Sequence, residues 1–287
     1  MMSVNHSSRP VPVSDFSPQV LAKLDRVKDV LSTLGRVVIA YSGGVDSTLV
    51  AKIALDLLGA ENVLAVIASS ASFGAEEERE ALETINAIGL PFIRVETDEV
   101  DDPRYAANPT NRCYFCKEHV YGALVDVAQE RGFAAVVDGF NVDDTGDFRP
   151  GRKAGRELGV RSPLCEAGLN KDEIRLLARH LGLSNWNKPA MACLSSRVEY
   201  GTPITVEILK QVDRAERALR QLGFEELRVR HHDKLARIEV DSLLIERALT
   251  AREQIIDAVK SAGYVYVTLD LQGLRHGSMN EGLLTRG

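Results

Sequence analysis

Residues 37–47 have the sequence V-V-I-A-Y-S-G-G-V-D-S, which predicts a strand, a tight loop and the first turn of a helix. The β-branched apolar run stops at Tyr41, and an amphipathic run begins at residue 48. Between them, Gly43 and Gly44 allow positive φ angles and a close approach of the backbone to a ligand. Because N–H groups at such a loop and at a helix N-terminus point toward anions, the stretch predicts a phosphate or pyrophosphate site.

The same loop carries side chains that suit a metal-bound nucleotide. Ser42 and Ser47 offer hydroxyl groups, whereas the carboxylate of Asp46 would repel a phosphate on its own. A Mg²⁺ ion that bridges the carboxylate and the phosphate oxygens removes this repulsion. The pattern lacks the Gly-Lys-Ser/Thr of a Walker loop. The alternative interpretation is an ordinary strand-to-helix turn with a capping serine, which a six-residue pattern in this context makes less attractive.

The composition limits the classes of protein to consider. The chain has 287 residues, 45% hydrophobic and 26% charged, which is typical of a globular chain long enough for two domains. Its net charge of −6 argues against a protein that binds nucleic acid non-specifically. No apolar run approaches the roughly 20 residues of a membrane span, and residues 1–16 lack the apolar core of a secretory signal. We therefore expect a cytoplasmic protein with a disordered tail at residues 1–16 and neither a membrane nor a nucleic-acid partner.

Strand and helix patterns alternate through roughly the first 140 residues. The alternation predicts an α/β fold with a doubly wound parallel sheet, in which ligands bind beyond the carboxyl ends of the strands. The loop at residues 42–47, Ala68 and Asp138 fall at that edge, as does the segment leading to Cys113. Residues 97–111, which contain acidic groups and two prolines, are predicted to be a loop. Further strands are predicted at residues 63–68, 91–95 and 134–138, and helices at residues 17–34, 47–58, 76–88, 114–131 and 170–181.

The pattern changes after Gly201 to helix, two strands, helix and strand. It predicts strands at residues 227–231, 236–240 and 264–269, and one continuous helix over residues 243–262. We therefore expect a nucleotide-binding domain at residues 17–201 and a smaller α+β domain, for substrate binding or oligomerisation, at residues 202–287. Residues 185–200, which join them, show no period and suit a functional loop.

The four cysteines raise a separate question. Cys113 and Cys116 form a C-x-x-C pair near a predicted helix start, so both thiols share one face, and Cys193 lies in the aperiodic loop. Without a secretory signal, such residues indicate metal binding or catalysis more than disulfides. The candidates are a thioredoxin-like redox pair, a structural zinc with Cys165 as fourth ligand, simple packing, and a 4Fe-4S cluster on three thiolates. We favour the cluster, because its open iron can carry a hydrosulfide to a group activated by ATP.

These motifs resemble those of the LarE-type sulfur transferases, a group within the ATP pyrophosphatases. The resemblance extends over nearly everything after the N-terminal tail. It implies the adenine nucleotide alpha hydrolase-like form of the α/β fold. Beyond the loop at residues 42–47, it rests on D-G-F-N-V-D-D (138–144), R-P-G-R-K-A-G (149–155), W-N-K-P-A-M-A-C-L-S-S-R (186–197), R-V-R-H-H (228–232), L-A-R-I-E (235–239) and Y-V-T-L-D-L-Q-G (266–273).

The resemblance implies an activity. Members of the group use ATP and Mg²⁺ to adenylylate the carboxylates of a pyridinium dicarboxylate mononucleotide. They then exchange AMP for sulfur, giving thiocarboxylates for the nickel-pincer cofactor of lactate racemase. One branch sacrifices its own cysteine sulfur, and another has three cysteines and a 4Fe-4S cluster, with a sulfur donor that the sequence does not identify. Cys113, Cys116 and Cys193 place this sequence in the second branch, and a homo-oligomer is expected.

The resemblance also implies residue roles. Arg228 and Arg230 match residues that bind the mononucleotide phosphate, and their alternation on one strand puts both guanidinium groups on one face. Glu216 and Glu239 match metal ligands of the small domain, although a helix-surface position is the simpler alternative for Glu216. Asp138 is predicted to contact a second Mg²⁺ or the ribose, against simple capping of a strand end. The resemblance implies five catalytic residues. Lys188 offsets charge in the adenylate, Ser196 and Arg197 lie beside the activated carboxylate, and Cys193 lies where the sulfur nucleophile attacks. The fifth is Asp46.

Three other functions use the same loop. A tRNA thiolase shares it and in one branch has a three-cysteine cluster, but needs a basic RNA-facing surface or an RNA-binding appendage. The acidic balance and the lack of a second C-x-x-C pair argue against it. An amide-forming ligase similar to NAD or GMP synthetase would leave the cysteines unexplained. A non-catalytic nucleotide-binding subunit needs the loop alone.

Overall fold

The computed structural model describes residues 16–145, 150–189 and 192–275, which fall into two compact units. Within the described ranges, the first unit takes in residues 16–70, 77–99 and 113–189. The second takes in residues 71–76, 100–112 and 192–275. The units interleave along the chain, whereas the predicted domain boundary is a single cut near residue 202 and stays a prediction.

The first unit is built on a four-stranded parallel sheet in the order β3-β2-β1-β4. Val38 of the central β1 pairs with Leu64 on one side and with Val136 on the other. The buried, β-branched sequences of β1 and β2 are typical of parallel strands covered on both faces. This architecture confirms the predicted α/β class with a parallel sheet. The strands are β1 (Val37–Ala40), β2 (Val63–Ser69), β3 (Phe92–Glu96) and β4 (Ala135–Val137).

Most predicted helix boundaries are confirmed. The hydroxyl of Ser17 accepts a hydrogen bond from the Val20 N–H at 3.3 Å, and Asn170 forms a capping box with Glu173. The helices between residues 16 and 189, in chain order, are α1 (Pro18–Leu34), α2 (Val45–Leu58), α3 (Ala75–Ile88), α4 (Pro103–Ala106), α5 (Arg112–Glu130), α6 (Pro150–Glu157), α7 (Pro163–Glu166) and α8 (Lys171–His180).

Two predictions for residues 1–111 are wrong. The expected loop at residues 97–111 contains a 3₁₀ turn, Glu99–Asp101, and helix α4. The Asp102 carboxylate caps α4 by accepting the Arg104 N–H at 2.8 Å, and a proline occupies the first helical position. The predicted disordered tail includes Phe16, but its side chain is buried and meets the His180 ring edge-on at 4.9 Å. The rest of the predicted tail, residues 1–15, lies outside the described residues.

The second unit contains a three-stranded sheet in the order β5-β6-β7, with β5 and β6 antiparallel and β6 and β7 parallel. Leu219 of α9 packs with Val229, Ile238 and Val259 in its core. The predicted order of helices and strands is confirmed. The elements are α9 (Val206–Gln221), β5 (Leu227–His232), β6 (Leu235–Val240), α10 (Ile245–Thr250), α11 (Arg252–Ser261) and β7 (Tyr266–Leu269).

The prediction of one continuous helix over residues 243–262 is wrong. A 3₁₀ turn, Ser242–Leu244, leads into α10, and Ala251 separates α10 from α11 with φ −88° and ψ 14°. Ala248 and Ile255 stay on the buried side across this break. Hydrophobic periodicity therefore gives no sign of the interruption. Among the described residues, no helix is both long and apolar enough to span a membrane.

Candidate active site

The loop between β1 and α2 has the geometry that its glycines predict. Gly43 adopts a φ of +70°, and a Cβ atom there would lie 2.5 Å from the Cβ atom of Ala81 in α3. No larger residue fits without moving the backbone. Gly44 stands at the N-cap of α2 with extended geometry and no side-chain cap. The first N–H groups of α2 therefore have no capping side chain, which leaves this helix start suited to an anion.

Hydroxyl and amide groups hold the loop in shape. The buried Ser47 hydroxyl donates to the Gly44 carbonyl at 3.2 Å and accepts the Ser42 N–H at 3.3 Å. Thr48 donates to the same carbonyl at 2.8 Å. The Asn185 amide donates to the Gly43 carbonyl at 3.1 Å and to Thr48 Oγ1 at 3.0 Å. Ser42 stays exposed, so its hydroxyl is the one presented to a ligand.

The two carboxylate oxygens of Asp46 differ in their hydrogen-bond partners. Oδ2 forms an ion pair with Lys171 at the start of α8. Oδ1 is buried and has no hydrogen-bond partner among the described residues. Burial raises the pKa of Asp46, and the Lys171 cation and its hydrogen bond oppose that shift. A buried, unpartnered carboxylate oxygen beside a phosphate loop fits the ligand set of Mg²⁺.

Asp138 follows β4 and is enclosed by donors. Its Oδ1 accepts from the Ser162 hydroxyl at 2.7 Å and from the Phe140 N–H at 3.1 Å, and its Oδ2 accepts from the Tyr121 hydroxyl at 2.8 Å. Burial raises the pKa of Asp138, and these hydrogen bonds oppose the shift. The next residue, Gly139, has no room for a side chain, because a Cβ atom would lie 2.7 Å from the backbone nitrogen of residue 47. Asp138 thus fixes a turn that packs on the first turn of α2, and its contact with Mg²⁺ or ribose stays a prediction.

Two further predicted residues lie in the first unit. Ala68 is half-buried near the end of β2, where it pairs with Val95. Lys188 forms an ion pair with Glu80 of α3 at 2.8 Å. These contacts place both residues without testing their predicted roles toward ATP and the adenylate.

The four cysteines are all described by the structure, and none of them is in a disulfide. Cys113 is exposed and Cys116 is half-buried in the first turn of α5, where their spacing of three residues puts them on one face. Cys193 is exposed in the second unit, at the N-cap of the 3₁₀ turn Leu194–Arg197. The half-buried Cys165 accepts a hydrogen bond from Arg152 at 3.6 Å. Within the part of the chain that the structure describes, no group of three or more His, Cys, Asp or Glu side chains is arranged to hold a metal ion.

In the second unit, Arg197 forms a fully buried ion pair with Glu216. The Nε and Nη2 atoms of Arg197 donate to the two Glu216 oxygens at 2.8 and 3.1 Å. Glu216 also accepts from the Val229 N–H at 3.0 Å and from Arg220 at 3.1 Å. Burial by itself would raise the pKa of Glu216, but the Arg197 cation and these hydrogen bonds hold that pKa below its usual value.

Arg197 also fixes the segment that carries Cys193. Its Nη1 atom donates to the Cys193 carbonyl at 3.0 Å and to the Ala192 carbonyl. The Ser196 hydroxyl donates to the same Cys193 carbonyl at 2.8 Å. The predicted catalytic residues Ser196 and Arg197 therefore both bind the backbone of Cys193 in this structure.

Arg228 and Arg230 extend from one face of β5 and differ in their partners. Arg230 is buried and donates to Glu239 at 2.7 Å and to the Ser196 carbonyl at 3.0 Å. Half-buried Arg228 donates to the Leu227 carbonyl at 2.7 Å and makes no ion pair within the described residues. Burial lowers the pKa of Arg228 to about 10, with a further contribution from the neighbouring Arg197 cation. This guanidinium is close to the Arg197 cation and forms no ion pair in the described chain, although the Glu216 carboxylate is also near, and an unpaired guanidinium suits an anion such as a phosphate.

Both predicted metal ligands of the small domain bind arginines in this structure. Glu216 accepts from Arg197 and Arg220, and Glu239 lies 2.7 Å from Arg230 and 3.4 Å from Arg237. A metal ion would have to displace at least one of these cations. The assignment of Glu216 and Glu239 as metal ligands therefore stays a prediction.

Comparisons with known proteins connect this geometry to a family. A family model described as NAD synthase matches residues 21–110, which include the loop. An uncharacterized protein of Synechocystis sp. is 45% identical over 264 residues, 91% of this chain and 98% of that protein. The pyridinium-3,5-bisthiocarboxylic acid mononucleotide synthase of Lactiplantibacillus plantarum is 44% identical over 253 residues, 88% of this chain and 92% of that enzyme. The chain belongs to the LarE-type family. Like other LarE-type proteins, it is an enzyme of the ATP pyrophosphatase type.

A more distant relative shares part of the chain only. A probable tRNA sulfurtransferase of Methanothermobacter thermautotrophicus is 31% identical over 162 residues, 52% of this chain and 41% of that protein. The LarE-type match extends over far more of both chains. The predicted family is therefore confirmed, and the tRNA sulfurtransferase is a relative through a common segment.

The structure adds site residues that motif analysis did not identify. Lys171, which pairs with Asp46, follows the predicted Asn170 cap of α8 and stands 125 residues from its partner. Asn185, which holds the Gly43 carbonyl, opens the aperiodic segment at residues 185–200. Neither residue belongs to a pattern of fixed spacing. The only signal in the sequence is that both lie beside segments already assigned to the site.

Proposed function

We propose that the protein converts the carboxylates of a pyridinium dicarboxylate mononucleotide into thiocarboxylates, with cleavage of ATP to AMP and pyrophosphate. The observation that carries the proposal is the match over 92% of a synthase named for the bisthiocarboxylic acid product. The loop geometry supports the ATP half of the reaction. The product serves nickel-pincer cofactor biosynthesis in this proposal.

The loop binds the triphosphate of ATP. In this proposal the exposed Ser42 hydroxyl and the N–H groups at the uncapped start of α2 contact the leaving pyrophosphate, while the Ser47 hydroxyl keeps the loop closed. Asp46 would hold Mg²⁺ through its unpartnered Oδ1 atom, and the ion would supply positive charge to the pyrophosphate as it leaves. Lys171 keeps Asp46 in place through the other carboxylate oxygen.

The reaction has two balanced steps for each carboxylate. A carboxylate oxygen attacks the α-phosphorus of ATP, and the bond to pyrophosphate breaks. A sulfur nucleophile then attacks the carbonyl carbon of the acyl adenylate, and AMP leaves with the original carboxylate oxygen. Lys188, held by Glu80 of α3, is the candidate cation for the adenylate.

We propose Arg228 as the residue that binds the phosphate of the mononucleotide. Its half-buried guanidinium makes no ion pair within the described residues, so binding a phosphate dianion requires no existing ion pair to be broken. Arg230 supports the site but shares its charge with Glu239. A phosphorylated substrate therefore gains affinity from this strand, whereas its unphosphorylated analogue does not.

We propose that the thiolates of Cys113, Cys116 and Cys193 hold a 4Fe-4S cluster. Cysteine thiolates are the usual ligands of such a cluster. Two of these three thiols are exposed, and none is in a disulfide in the described chain. The cluster would supply an open iron able to carry sulfide. Arg197 and Ser196 hold the Cys193 backbone, so they act as positioning residues for this thiol. Arg197 is too deeply buried to contact a substrate without losing Glu216.

We also propose a cytoplasmic homo-oligomer. Cysteines outside disulfides suit a reducing compartment. Self-association is supported by the edge strand β7, because the large side chain of Tyr266 in this strand and those of Val265 and Leu271 near its ends are exposed. Burial of such an edge against a second copy would remove both the apolar surface and the edge's exposed backbone groups.

The test is product analysis under anaerobic conditions. Purified protein receives ATP, Mg²⁺, the dicarboxylate mononucleotide and a sulfide source, and the products are separated and weighed by mass spectrometry. The proposal predicts AMP, pyrophosphate and a mononucleotide in which oxygen is replaced by sulfur. Release of ADP, or sulfur incorporation into added tRNA with none into the mononucleotide, would contradict it.

A further inference from the structure

Asn185 makes two hydrogen bonds to the nucleotide loop and the helix that follows it. Its side chain is buried, and its amide group donates to the Gly43 carbonyl at 3.1 Å and to the Thr48 hydroxyl at 3.0 Å. Because a carbonyl can only accept, the contact with Gly43 fixes which end of the amide is the N–H₂ group. The other end, Oδ1, is buried without a hydrogen-bond partner among the described residues. The loop therefore uses Asn185 as a donor.

The two consecutive glycine carbonyls of the loop are held in different ways. The Gly44 carbonyl accepts three hydrogen bonds from α2, from the Thr48 N–H at 3.0 Å, the Thr48 hydroxyl at 2.8 Å and the Ser47 hydroxyl at 3.2 Å. The Gly43 carbonyl, one peptide group earlier, accepts from Asn185, which stands 142 residues away in the sequence. The peptide group between Gly43 and Gly44 is therefore oriented by a residue outside the loop.

The orientation of this peptide group decides where the Gly44 N–H points. In a planar trans peptide, the C=O and N–H bonds point in opposite directions. While Asn185 holds the Gly43 carbonyl on one side, the Gly44 N–H points to the other, where its nitrogen lies 3.5 Å from the exposed Ser42 hydroxyl. That bond is longer than an ordinary N–H···O hydrogen bond, so the Gly44 donor is only weakly satisfied and suits an anion.

The two glycines would also permit the reverse orientation of their common peptide group. Turning it over takes the φ of Gly44 from its present −76° to a positive value, which glycine adopts at little cost. The Gly44 N–H would then point away from the Ser42 hydroxyl. Alanine at this position fits the present orientation, since its Cβ atom would lie 3.5 Å from the Ser42 hydroxyl oxygen, but it disfavours the reversed one.

We propose that Asn185 is a positioning residue that fixes the peptide group between Gly43 and Gly44, so that the Gly44 N–H donates to the pyrophosphate of ATP. The inference rests on the proposed use of this loop for ATP. Asn185 itself lies in the turn after α8. The Arg179 guanidinium of that helix lies 5.0 Å from the ring of Trp186, the residue after Asn185. The donor is therefore held in place before a nucleotide binds.

The first test measures the binding of pyrophosphate in the presence of Mg²⁺ by calorimetry. Asn185→Leu keeps the approximate size of the side chain and removes its donors, and Asn185→Ala takes its place if the leucine variant does not fold. Either change should weaken pyrophosphate binding about tenfold or more and leave the binding of adenosine, which has no phosphate, unchanged.

The matched control carries the same substitution at the other end of α2. The amide of half-buried Asn62 donates to the Leu58 carbonyl at 2.9 Å, so Asn62→Leu also removes a side-chain donor from a backbone carbonyl. It should bind pyrophosphate as tightly as the parent protein does. Melting temperatures of all variants record any general loss of stability.

A second substitution distinguishes an oriented peptide group from a merely structural role of Asn185. Gly44→Ala alone should keep pyrophosphate binding, because alanine fits the present φ. Added to Asn185→Leu, it should restore most of the lost affinity, because it disfavours the reversed peptide group. A loss of packing around residue 185 would not be repaired by a methyl group at residue 44.

Four results would overturn the inference. They are parent-like pyrophosphate affinity in folded Asn185→Leu protein, an equal loss in Asn62→Leu, loss of binding in Gly44→Ala alone, and a double variant that binds no better than Asn185→Leu. None of these measurements needs the mononucleotide or a sulfide source. If the product analysis finds no thiocarboxylate while the four binding results are as expected, the proposed function fails and the positioning role of Asn185 stands. If the parent protein forms the thiocarboxylate but Asn185→Leu keeps its pyrophosphate affinity, the reverse holds.

Discussion

Replacing Asp46 by asparagine should separate activity from stability more sharply than any other change in the loop. The substitution keeps the shape of the side chain and removes the negative charge from Oδ1, which is buried without a partner in the described chain, and from Oδ2, which pairs with Lys171. The charge is what a Mg²⁺ ion needs. The free protein, by contrast, gains little stability from it.

The expected magnitudes differ by several kcal/mol. The side chains of Lys171 and Asp46 are 28% and 23% exposed, so loss of their ion pair costs at most about 1 kcal/mol. Removal of a charge that burial disfavours offsets part of that cost. We expect the free energy of unfolding to change by less than about 1 kcal/mol. Loss of charge stabilisation at the leaving pyrophosphate should slow its release about 100-fold or more, roughly 3 kcal/mol.

The assay couples pyrophosphate release to phosphate detection, with urea unfolding measured on the same preparations. Asp56→Asn is the matched control, because Asp56 lies on the same helix and pairs with Lys52 at 2.5 Å. It should leave pyrophosphate release unchanged. If Asp46→Asn releases pyrophosphate at the rate of the parent protein, Asp46 does not serve the metal-bound nucleotide and the loop assignment is wrong. An equal loss of pyrophosphate release in Asp56→Asn would show that the effect comes from a disturbance of helix α2 as a whole and not from Asp46.

Three further substitutions give separate outcomes. Gly43→Ala forces a left-handed φ of +70° and a 2.5 Å contact with Ala81, so we expect a cost of at least about 1–2 kcal/mol and loss of ATP binding by calorimetry. Arg228→Gln should weaken mononucleotide binding about tenfold or more and leave ATP affinity unchanged, measured by calorimetry. Glu216→Gln should lower the free energy of unfolding by about 3–5 kcal/mol, because it leaves the buried Arg197 without its carboxylate partner, and denaturant titration measures this.

Each of these changes has a matched control. Gly35→Ala carries the same strain, with a φ of +71°, but a Cβ atom there meets nothing within 4 Å, so ATP binding should persist. Arg217→Gln removes an arginine that is 50% exposed and should not alter mononucleotide affinity. Asp213→Asn removes the carboxylate that pairs with Arg217 at 3.8 Å on the same helix as Glu216. It should lower the free energy of unfolding far less than Glu216→Gln does. If Arg228→Gln binds the mononucleotide as tightly as the parent protein does, Arg228 does not bind the substrate phosphate.

The nucleotide loop could be predicted because its geometry is local. The φ of Gly43, the start of α2 and the direction of its N–H groups all follow from consecutive residues. The partner of Asp46 could not be predicted in the same way. Lys171 reaches it from a helix 125 residues away, and that contact depends on how α2 and α8 pack. Local sequence thus indicates the anion site but not the cation that balances its carboxylate.

Arg197 illustrates the same limit in the second unit. The family resemblance implies a role for it beside the activated carboxylate, and an arginine in an aperiodic segment is normally exposed. In the structure the Arg197 side chain is fully buried, because it forms an ion pair with Glu216 of α9. Burial of a cation becomes favourable only when a partner is supplied by the tertiary fold. Periodicity alone contains no information on such a pair, nor on the break at Ala251.

The fate of one oxygen atom tests the central claim most directly. The mononucleotide is prepared with ¹⁸O in its carboxylates and incubated with the protein, ATP, Mg²⁺ and a sulfide source, and the AMP is analysed by mass spectrometry. Attack of the carboxylate on the α-phosphorus, followed by displacement with sulfur, predicts that each AMP carries one ¹⁸O atom for each sulfur gained by the product. AMP without the label, or ADP in its place, would contradict adenylylation of the carboxylate.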